Sequence, residues 1–155
     1  MPVFQKTQLV NAGLETCWNF FSNPANLSRI TPPEMDFRIL FPDPVPVMYA
    51  GMIIRYKVRP FPFMKVTWIT EITQVKEKHF FIDTQVSGPY RLWHHQHLFR
   101  ATPDGVEMTD IVNYELPFGF IGKLLAGRMV KRKVEAIFKH RTKVISRLFP
   151  ERMSG

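Results

Sequence analysis

The sequence contains a single cysteine, Cys17, among its 155 residues. One cysteine cannot form an internal disulfide, and a zinc site built on it would need three other ligands. No apolar run approaches the roughly 18 residues that a membrane-spanning helix needs. The first residues also lack the basic region and apolar stretch that mark a secretory signal. These absences predict a protein of the reducing cytoplasm.

Short motifs with a known chemical role are missing as well. The chain has no Gly-x-Ser-x-Gly, no phosphate-binding glycine loop and no His-Glu-x-x-His. It also has no zinc finger, no RNA-recognition signature and no dimeric zipper. The sequence therefore predicts neither a cofactor nor specific binding to nucleic acid.

Positive charge is concentrated in one segment of the chain, whose formal net charge is +8. Residues 123–152 hold ten basic and two acidic side chains, whereas the rest of the chain holds 11 of each. Such a segment is most simply the solvated face of a helix, with its last cations favoured by the helix dipole. Weak contact with an anionic membrane, through Lys131, Arg132 and Lys133, is the second interpretation.

The N-terminal part of the chain predicts one strand followed by two short helices. Residues 3–10 are rich in β-branched side chains and partly alternate, and residues 14–21 carry apolar side chains at helical spacing. Asn23 is a good N-cap and Pro24 suits the first helical position, so a second helix is expected there. It should end at 31–33, because a residue that precedes proline avoids helical dihedral angles.

Alternating apolar residues and short turns then predict an antiparallel meander. The predicted strands are 35–41, 52–58, 66–72, 79–87, 91–102 and 106–116, with loops or turns at 42–46, 60–62, 88–89 and 103–105. The alternation of strands and helices that is typical of a parallel sheet is not visible. The fold class is therefore α+β, and residues 1–155 are expected to form a single domain.

The last part of the chain predicts one long helix. From Phe120 to about Phe149 there is no proline, and about 30 residues at 1.5 Å each give a length of roughly 45 Å. We expect one apolar stripe to lie across the whole sheet, with the basic side chains, including 139–143, on the outer face. The stripe comprises Ile121, Leu124, Leu125, Met129, Val134, Ile137, Phe138, Ile145 and Leu148.

Polar side chains share strand faces with large aromatic ones. The faces that the apolar residues favour as inward carry Trp93, His95, His97 and Phe99 in one strand, and Met108, Asp110, Val112, Tyr114 and Leu116 in the next. The preceding strand is ambiguous, because Phe81, Asp83 and Gln85 on one face oppose Phe80, Ile82, Thr84 and Val86 on the other. If Asp83 faces inward, the aspartates and histidines converge beside Trp68, since neighbouring strands lie about 4.8 Å apart.

The predicted order of elements resembles the helix-grip fold of the START and birch-pollen-allergen-like (SRPBCC) superfamily. The similarity covers nearly the whole chain and is sharpest at Trp68-Ile-Thr-Glu-Ile and in the stretches 83–99 and 109–119. These stretches are similar to a bacterial branch that is described as ligand-binding or cyclase/dehydrase-like. The resemblance implies a curved antiparallel sheet wrapped around the long helix, with a hydrophobic cavity. The resemblance identifies no substrate and no catalytic residue, because function depends on the site and not on the fold.

The polar cluster of Asp83, His95, His97 and Asp110 has several interpretations. It can be a structural network of buried partners, or it can orient the polar end of a ligand in an apolar pocket. In a third interpretation His95 or His97 is a general base and an aspartate orients it. Two imidazoles and an aspartate can also bind a metal, but histidines two apart in a strand are a weak signal and we predict no metal.

We therefore predict a protein that binds a small hydrophobic or amphipathic molecule. A polyketide cyclase- or dehydratase-like reaction is the alternative, and association with anionic membrane through the basic helix is a further one. The sequence predicts no oligomeric state. The residues expected to contact the ligand are Tyr56, Trp68, Gln85, Trp93, Phe99 and Tyr114.

Overall fold

The structure is a computed structural model that describes residues 1–40 and 46–151. Its elements, in chain order, are β1 (Val3–Val10), α1 (Leu14–Phe21), 3-10 helices at Pro24–Arg29 and Pro33–Met35, β2 (Arg38–Ile39), β3 (Ile53–Phe61), β4 (Met64–Lys76), β5 (Phe80–Ser87), β6 (Leu92–Thr102), β7 (Gly105–Glu115) and α2 (Gly119–Leu148). The predicted α+β class is confirmed. Phe41 and residues 42–45, for which a strand end and a loop are predicted, lie outside the described residues.

The seven strands form one curved antiparallel sheet in the order β1-β7-β6-β5-β4-β3-β2. Strand β7 shows why the sequence forms it: buried and half-buried residues alternate along its whole length, as a strand with one face on the core requires. Val106, Met108 and Val112 are among its inward side chains. The strand therefore presents a continuous apolar row, interrupted by Asp110.

The main core joins α1 to the inner face of the sheet. The Trp18 ring meets Phe99 edge-on at 5.3 Å and Phe81 edge-on at 6.0 Å between centroids. Phe21 adds a tilted contact with Phe99 at 5.9 Å. Edge-to-face pairs are the favoured arrangement of aromatic rings, so α1 is held to the sheet by specific contacts as well as by burial.

Three local predictions need correction. The second predicted helix is a 3-10 helix, in which the Asn23 side chain accepts the Ala25 N–H at 3.0 Å. The predicted strand at 35–41 is reduced to β2, because the chain makes a second 3-10 helix that ends at Met35. The sequence predicts a turn that starts at Pro60. Strand β3 instead continues through Pro60, and the turn follows the end of the strand. The ladder shifts register there, since proline has no N–H to donate.

Helix α2 packs only part of its length against the core. Val130, Val134, Phe138, Arg141 and Ile145 are buried. Ile121, Leu124, Leu125 and Met129 are instead 64%, 72%, 80% and 53% exposed, so the prediction of one inward stripe is wrong for these four. Leu125 and Val134 are nine residues apart, which at about 100° per residue puts them on opposite sides of the helix. No helix in the described ranges combines the length and apolarity needed to cross a bilayer.

Candidate functional site

A cavity of about 160 Å³ lies between the inner face of the sheet and α2. Its wall is mostly apolar and aromatic, and includes Ile54, Tyr56, Trp68, Phe81, Trp93 and Phe138. The polar side chains that reach it include Asp83, His95, His97 and Arg141. The cavity therefore has an apolar body and a buried polar cluster, and its wall also includes Asn23, Asn26, Thr31, Thr70 and Lys133.

Strand register brings the polar side chains together. Strand β6 lies between β5 and β7, with Asp83 directly opposite His95 and Asp110 directly opposite His97. The hydrogen bonds run diagonally: His97 Nε2 lies 2.6 Å from Asp83 Oδ2, and His95 Nε2 lies 2.8 Å from Asp110 Oδ1. The two imidazole rings are 3.6 Å apart between centroids. Asp83, whose direction the sequence left open, thus faces inward.

Arg141 completes this cluster from α2. Its Nη2 atom lies 3.4 Å from Asp110 Oδ1, and its guanidinium stands over the rings of Phe21 and Phe138 at 5.7 Å each. The sequence predicts Arg141 on the outer basic face of the helix, and that prediction is wrong. Helical spacing could have predicted its burial, because Arg141 follows Val134 by seven residues and so falls on the buried stripe.

The cluster sets the protonation of its own members. Burial lowers the pKa of His95, and the neighbouring His97 lowers it further, so His95 is neutral at pH 7. Burial opposes charge on His97 too, but the two aspartates outweigh it and raise the pKa of His97 above 6.5. Burial would raise the pKa of Asp110, yet Arg141 and the histidines hold it well below its usual range. Burial opposes charge on Asp83 as well, but the hydrogen bond from His97 and the nearby cations lower its pKa.

The predicted ligand-contacting residues divide into two groups. Trp68, Trp93 and Tyr56 line the cavity. Gln85 does not: its side chain donates to the Tyr90 carbonyl at 2.7 Å and accepts the Tyr90 N–H at 3.2 Å, closing the turn between β5 and β6. The expected ligand contact of Gln85 therefore needs correction, because both ends of its amide are already bonded.

Phe99 and Tyr114 also lie away from the cavity wall. Phe99 packs in the main core with Trp18, and Tyr114 belongs to a separate cluster that contains Val112 and Val130. Both are buried on the inward faces that the alternation predicts, but neither is among the residues that line the cavity. Their expected ligand contacts are corrected for that reason. Asp110 is likewise not on the cavity wall; it contacts His95, which is.

Asp83, His95 and His97 offer three possible metal-ligand atoms within 4.8 Å of one another. Each histidine Nε2 is, however, already bonded to a carboxylate, and the Arg141 cation lies beside Asp110. A cation would compete with all of these contacts. The arrangement fits a hydrogen-bonded ion cluster better than a metal site.

No protein-family model and no curated protein sequence matches the chain. Solved structures are similar to it. A START superfamily protein from Mycobacterium smegmatis has a TM-score of 0.68 at 18% identity, covering 95% of this chain and 96% of that chain. Protein TTHA0849 from Thermus thermophilus has a TM-score of 0.63 at 16% identity, covering 93% of this chain and 97% of that chain. The fold is the helix-grip fold.

The resemblance to the START/SRPBCC superfamily is confirmed at the level of the fold. The helix-grip proteins share the antiparallel sheet and the long C-terminal helix with this chain over nearly their whole length. At these identities the similarity concerns architecture alone. Function has to be argued from the cavity and its polar cluster.

Proposed function

We propose that the chain binds a small hydrophobic or amphipathic molecule in the cavity between the sheet and α2. The observation that carries this proposal is the meeting of an apolar, aromatic wall with a buried polar cluster. Ligand pockets commonly combine apolar walls with a few convergent polar groups. Trp68 and Trp93 contact the apolar body of the ligand, and Asp83, His95 and His97 orient its polar end.

Two matched variants on α2 test this proposal with the neutral fluorescent probe N-phenylnaphthylamine. Ile137 lines the cavity, whereas Ile121 is exposed on the same helix. Ile137→Trp adds bulk to the cavity wall, so we expect loss of probe binding by at least about tenfold. Ile121→Trp makes the same change in solvent and should leave binding unchanged. Equal binding by both variants, with the fold intact, would contradict the proposal.

A cyclase- or dehydratase-like reaction is a second candidate, supported by the short His97–Asp83 contact. An imidazole held at 2.6 Å by a carboxylate has a defined orientation, as a general base requires. In this candidate the base is His95, or His97 in its neutral form: it accepts a proton from the ligand, and Asp83 or Asp110 stabilises the imidazolium that forms. Both histidines lie on the cavity wall, where they can contact a ligand.

A β-hydroxy ketone serves as the test substrate, because its dehydration to a conjugated enone is read by ultraviolet absorbance. If the cluster is catalytic, the protein accelerates this loss of water, and the double variant His95→Gln with His97→Gln abolishes the acceleration while still binding N-phenylnaphthylamine. Turnover that is the same in the double variant would remove the catalytic candidate. His79→Gln, at an exposed site away from the cavity, is the control.

Contact with an anionic membrane is a third candidate, supported by the exposed residues of α2. Ile121, Leu124, Leu125 and Met129 form what we call the outward apolar face. The exposed cations Arg128 and Arg132 lie on the same turns. Apolar side chains flanked by basic ones are typical of helices that lie on an anionic lipid surface.

Flotation with vesicles tests this candidate. We expect binding to vesicles that contain phosphatidylglycerol, weaker binding to pure phosphatidylcholine, and loss of binding when Leu124 and Leu125 are both changed to serine. Neutralising the exposed Lys131 and Arg132 should weaken binding and reduce its salt dependence. Lys133 stays unchanged in this variant, because it lines the cavity and does not lie on the outer face that the sequence predicts for it. No flotation, together with a doubled mass in solution that the serine variant reverts, would identify a second copy of the chain as the occupant instead.

A further inference from the structure

Three buried nitrogens on the cavity wall have no hydrogen-bond partner among the described residues: Trp68 Nε1, Arg141 Nε and His97 Nδ1. His97 Nδ1 lies 3.3 Å from the Asp110 carboxylate, so the other two are the ones without a nearby acceptor. Trp68 Nε1 and Arg141 Nε make no hydrogen bond to any residue in the described ranges, and each residue is only 7% exposed. Both residues line the cavity. An indole and a guanidinium are donors only, and a buried donor left unpaired destabilises the protein. Both N–H groups therefore lack an acceptor within the described residues.

Of the two donors, Trp68 has the greater need of a partner from outside the protein. Arg141 already approaches Asp110 through Nη2 and stands over two aromatic rings, so its charge is largely compensated. The Trp68 ring is packed among aromatic neighbours, with Trp93 edge-on at 5.4 Å and Tyr56 stacked at 5.8 Å. These neighbours pack against the ring of Trp68, but none of them accepts a hydrogen bond from its single N–H group.

The polar cluster also limits the charge of a ligand. The pKa values of Asp83 and Asp110 are lowered, Arg141 lies 3.4 Å from Asp110, and His97, whose pKa is raised, lies 2.6 Å from Asp83. His95 stays neutral. A carboxylate placed beside Asp83 and Asp110 would add a third negative charge to this buried region, which is costly in a low-dielectric interior. Lys133, the further cation on the wall, is half-buried and lies eight residues, or about 12 Å, along α2 from Arg141. An uncharged acceptor carries no such cost.

We propose that the ligand is an uncharged apolar molecule with a carbonyl oxygen, and that this oxygen accepts a hydrogen bond from Trp68 Nε1. The inference rests on the proposed function and names the chemical class of its ligand. The aromatic wall contacts the apolar body, and the Trp68 N–H selects molecules that carry the oxygen. A hydrocarbon of the same shape leaves Trp68 unpaired and binds less tightly.

Three naphthalene derivatives, measured by displacement of N-phenylnaphthylamine, test the inference. Acetylnaphthalene has the ketone, isopropenylnaphthalene replaces its oxygen with a methylene of nearly the same shape, and naphthoate is an anion. We expect the ketone to bind about threefold to tenfold more tightly than the alkene, which is what one net hydrogen bond supplies, and naphthoate to bind most weakly. Equal affinity of ketone and alkene, or tightest binding of naphthoate, would overturn the inference.

The variant Trp68→Phe removes the indole N–H and keeps an aromatic wall. It should bring the ratio of ketone to alkene affinity close to one, while Trp18→Phe, a buried tryptophan outside the cavity wall, should keep the ratio. A ratio that persists in folded Trp68→Phe contradicts the role of Trp68. Independently of any variant, the Trp68 indole proton of the native protein should move downfield with the ketone and not with the alkene. Failure of every probe to bind, N-phenylnaphthylamine included, would instead reject the proposed function itself.

Discussion

Asp110 Oδ1 lies 2.8 Å from His95 Nε2, although the residue directly opposite Asp110 in the sheet is His97. The second pair crosses in the same manner, because Asp83 lies opposite His95 and bonds His97. Each carboxylate thus faces both imidazoles, and His97 Nδ1 lies 3.3 Å from Asp110 Oδ1. This crossed arrangement lets four polar side chains share one buried site, since none of them depends on a single partner.

Arg141→Met tests whether the α2 cation supports the crossed cluster. Loss of the guanidinium leaves Asp110 buried beside fewer positive groups, and breaking a buried ion pair costs about 3–5 kcal/mol. We expect a loss of that size in the free energy of unfolding, measured by urea denaturation at pH 7. Lys143→Met changes an exposed cation two residues away and should have little effect. Equal stabilities of the two variants would show that Arg141 does not support Asp110.

The two histidines should titrate on opposite sides of pH 6.5. The pKa of His97 is raised, so it stabilises the fold fully below about pH 6.5, and this contribution is lost as the pH rises through its folded value. The pKa of His95 is lowered, so its contribution is present above about pH 6.5 and is lost as the pH falls. The histidine contributions together predict a maximum in the free energy of unfolding near pH 6.5.

Nuclear magnetic resonance titration of the imidazole signals, combined with urea unfolding across the same pH range, measures both effects. The aspartates act at lower pH: their stabilisation is present above about 3.8 and is lost as the pH falls through their lowered folded pKa values. The aspartates therefore do not change the pH dependence of the free energy of unfolding around pH 6.5, where the histidines titrate. If His95 titrated above His97, the assignment of the cation to His97 would be wrong.

The exposed start of α2 predicts an unusual tolerance to polar substitution. Leu125→Ser replaces a side chain that is 80% exposed, so the free energy of unfolding should change by no more than about 0.5 kcal/mol. Ile145→Ala, on the buried stripe of the same helix, should cost about 2–5 kcal/mol. Chemical denaturation of both variants provides the comparison. A large loss for Leu125→Ser would mean that this turn of α2 packs against the protein.

Most of the fold could be predicted because local patterns and the packed structure agree. Strand β7 alternates along its whole length, and the chain from 120 to 148 lacks any proline that would break a helix. Pro60 shows where such rules fail, since proline suggests a turn and the sheet accommodates it with a register shift. Local sequence alone does not show which neighbouring strand pairs with β3 across this register shift.

The site could be predicted in part for a similar reason. Alternation places His95, His97 and Asp110 on inward faces, but it cannot show that two crossed pairs form, because this depends on the relative positions of three strands. Arg141 was missed since charge suggested solvent, while its partner Asp110 lies 31 positions earlier in the chain. The exposed residues of α2 were missed because one stripe was assumed to include both Leu125 and Val134, which helical spacing puts on opposite sides of the helix.

The most direct test of the cavity uses the indole N–H signals of the three tryptophans. Trp68 and Trp93 line the cavity, whereas Trp18 packs in the main core. In proton–nitrogen correlation spectra, assigned with single tryptophan-to-phenylalanine variants, titration with N-phenylnaphthylamine should shift the signals of Trp68 and Trp93 and leave that of Trp18 in place. Signals of Trp68 and Trp93 that stay fixed up to the solubility limit of the probe, or a shift confined to Trp18, would contradict a ligand-binding cavity between the sheet and α2.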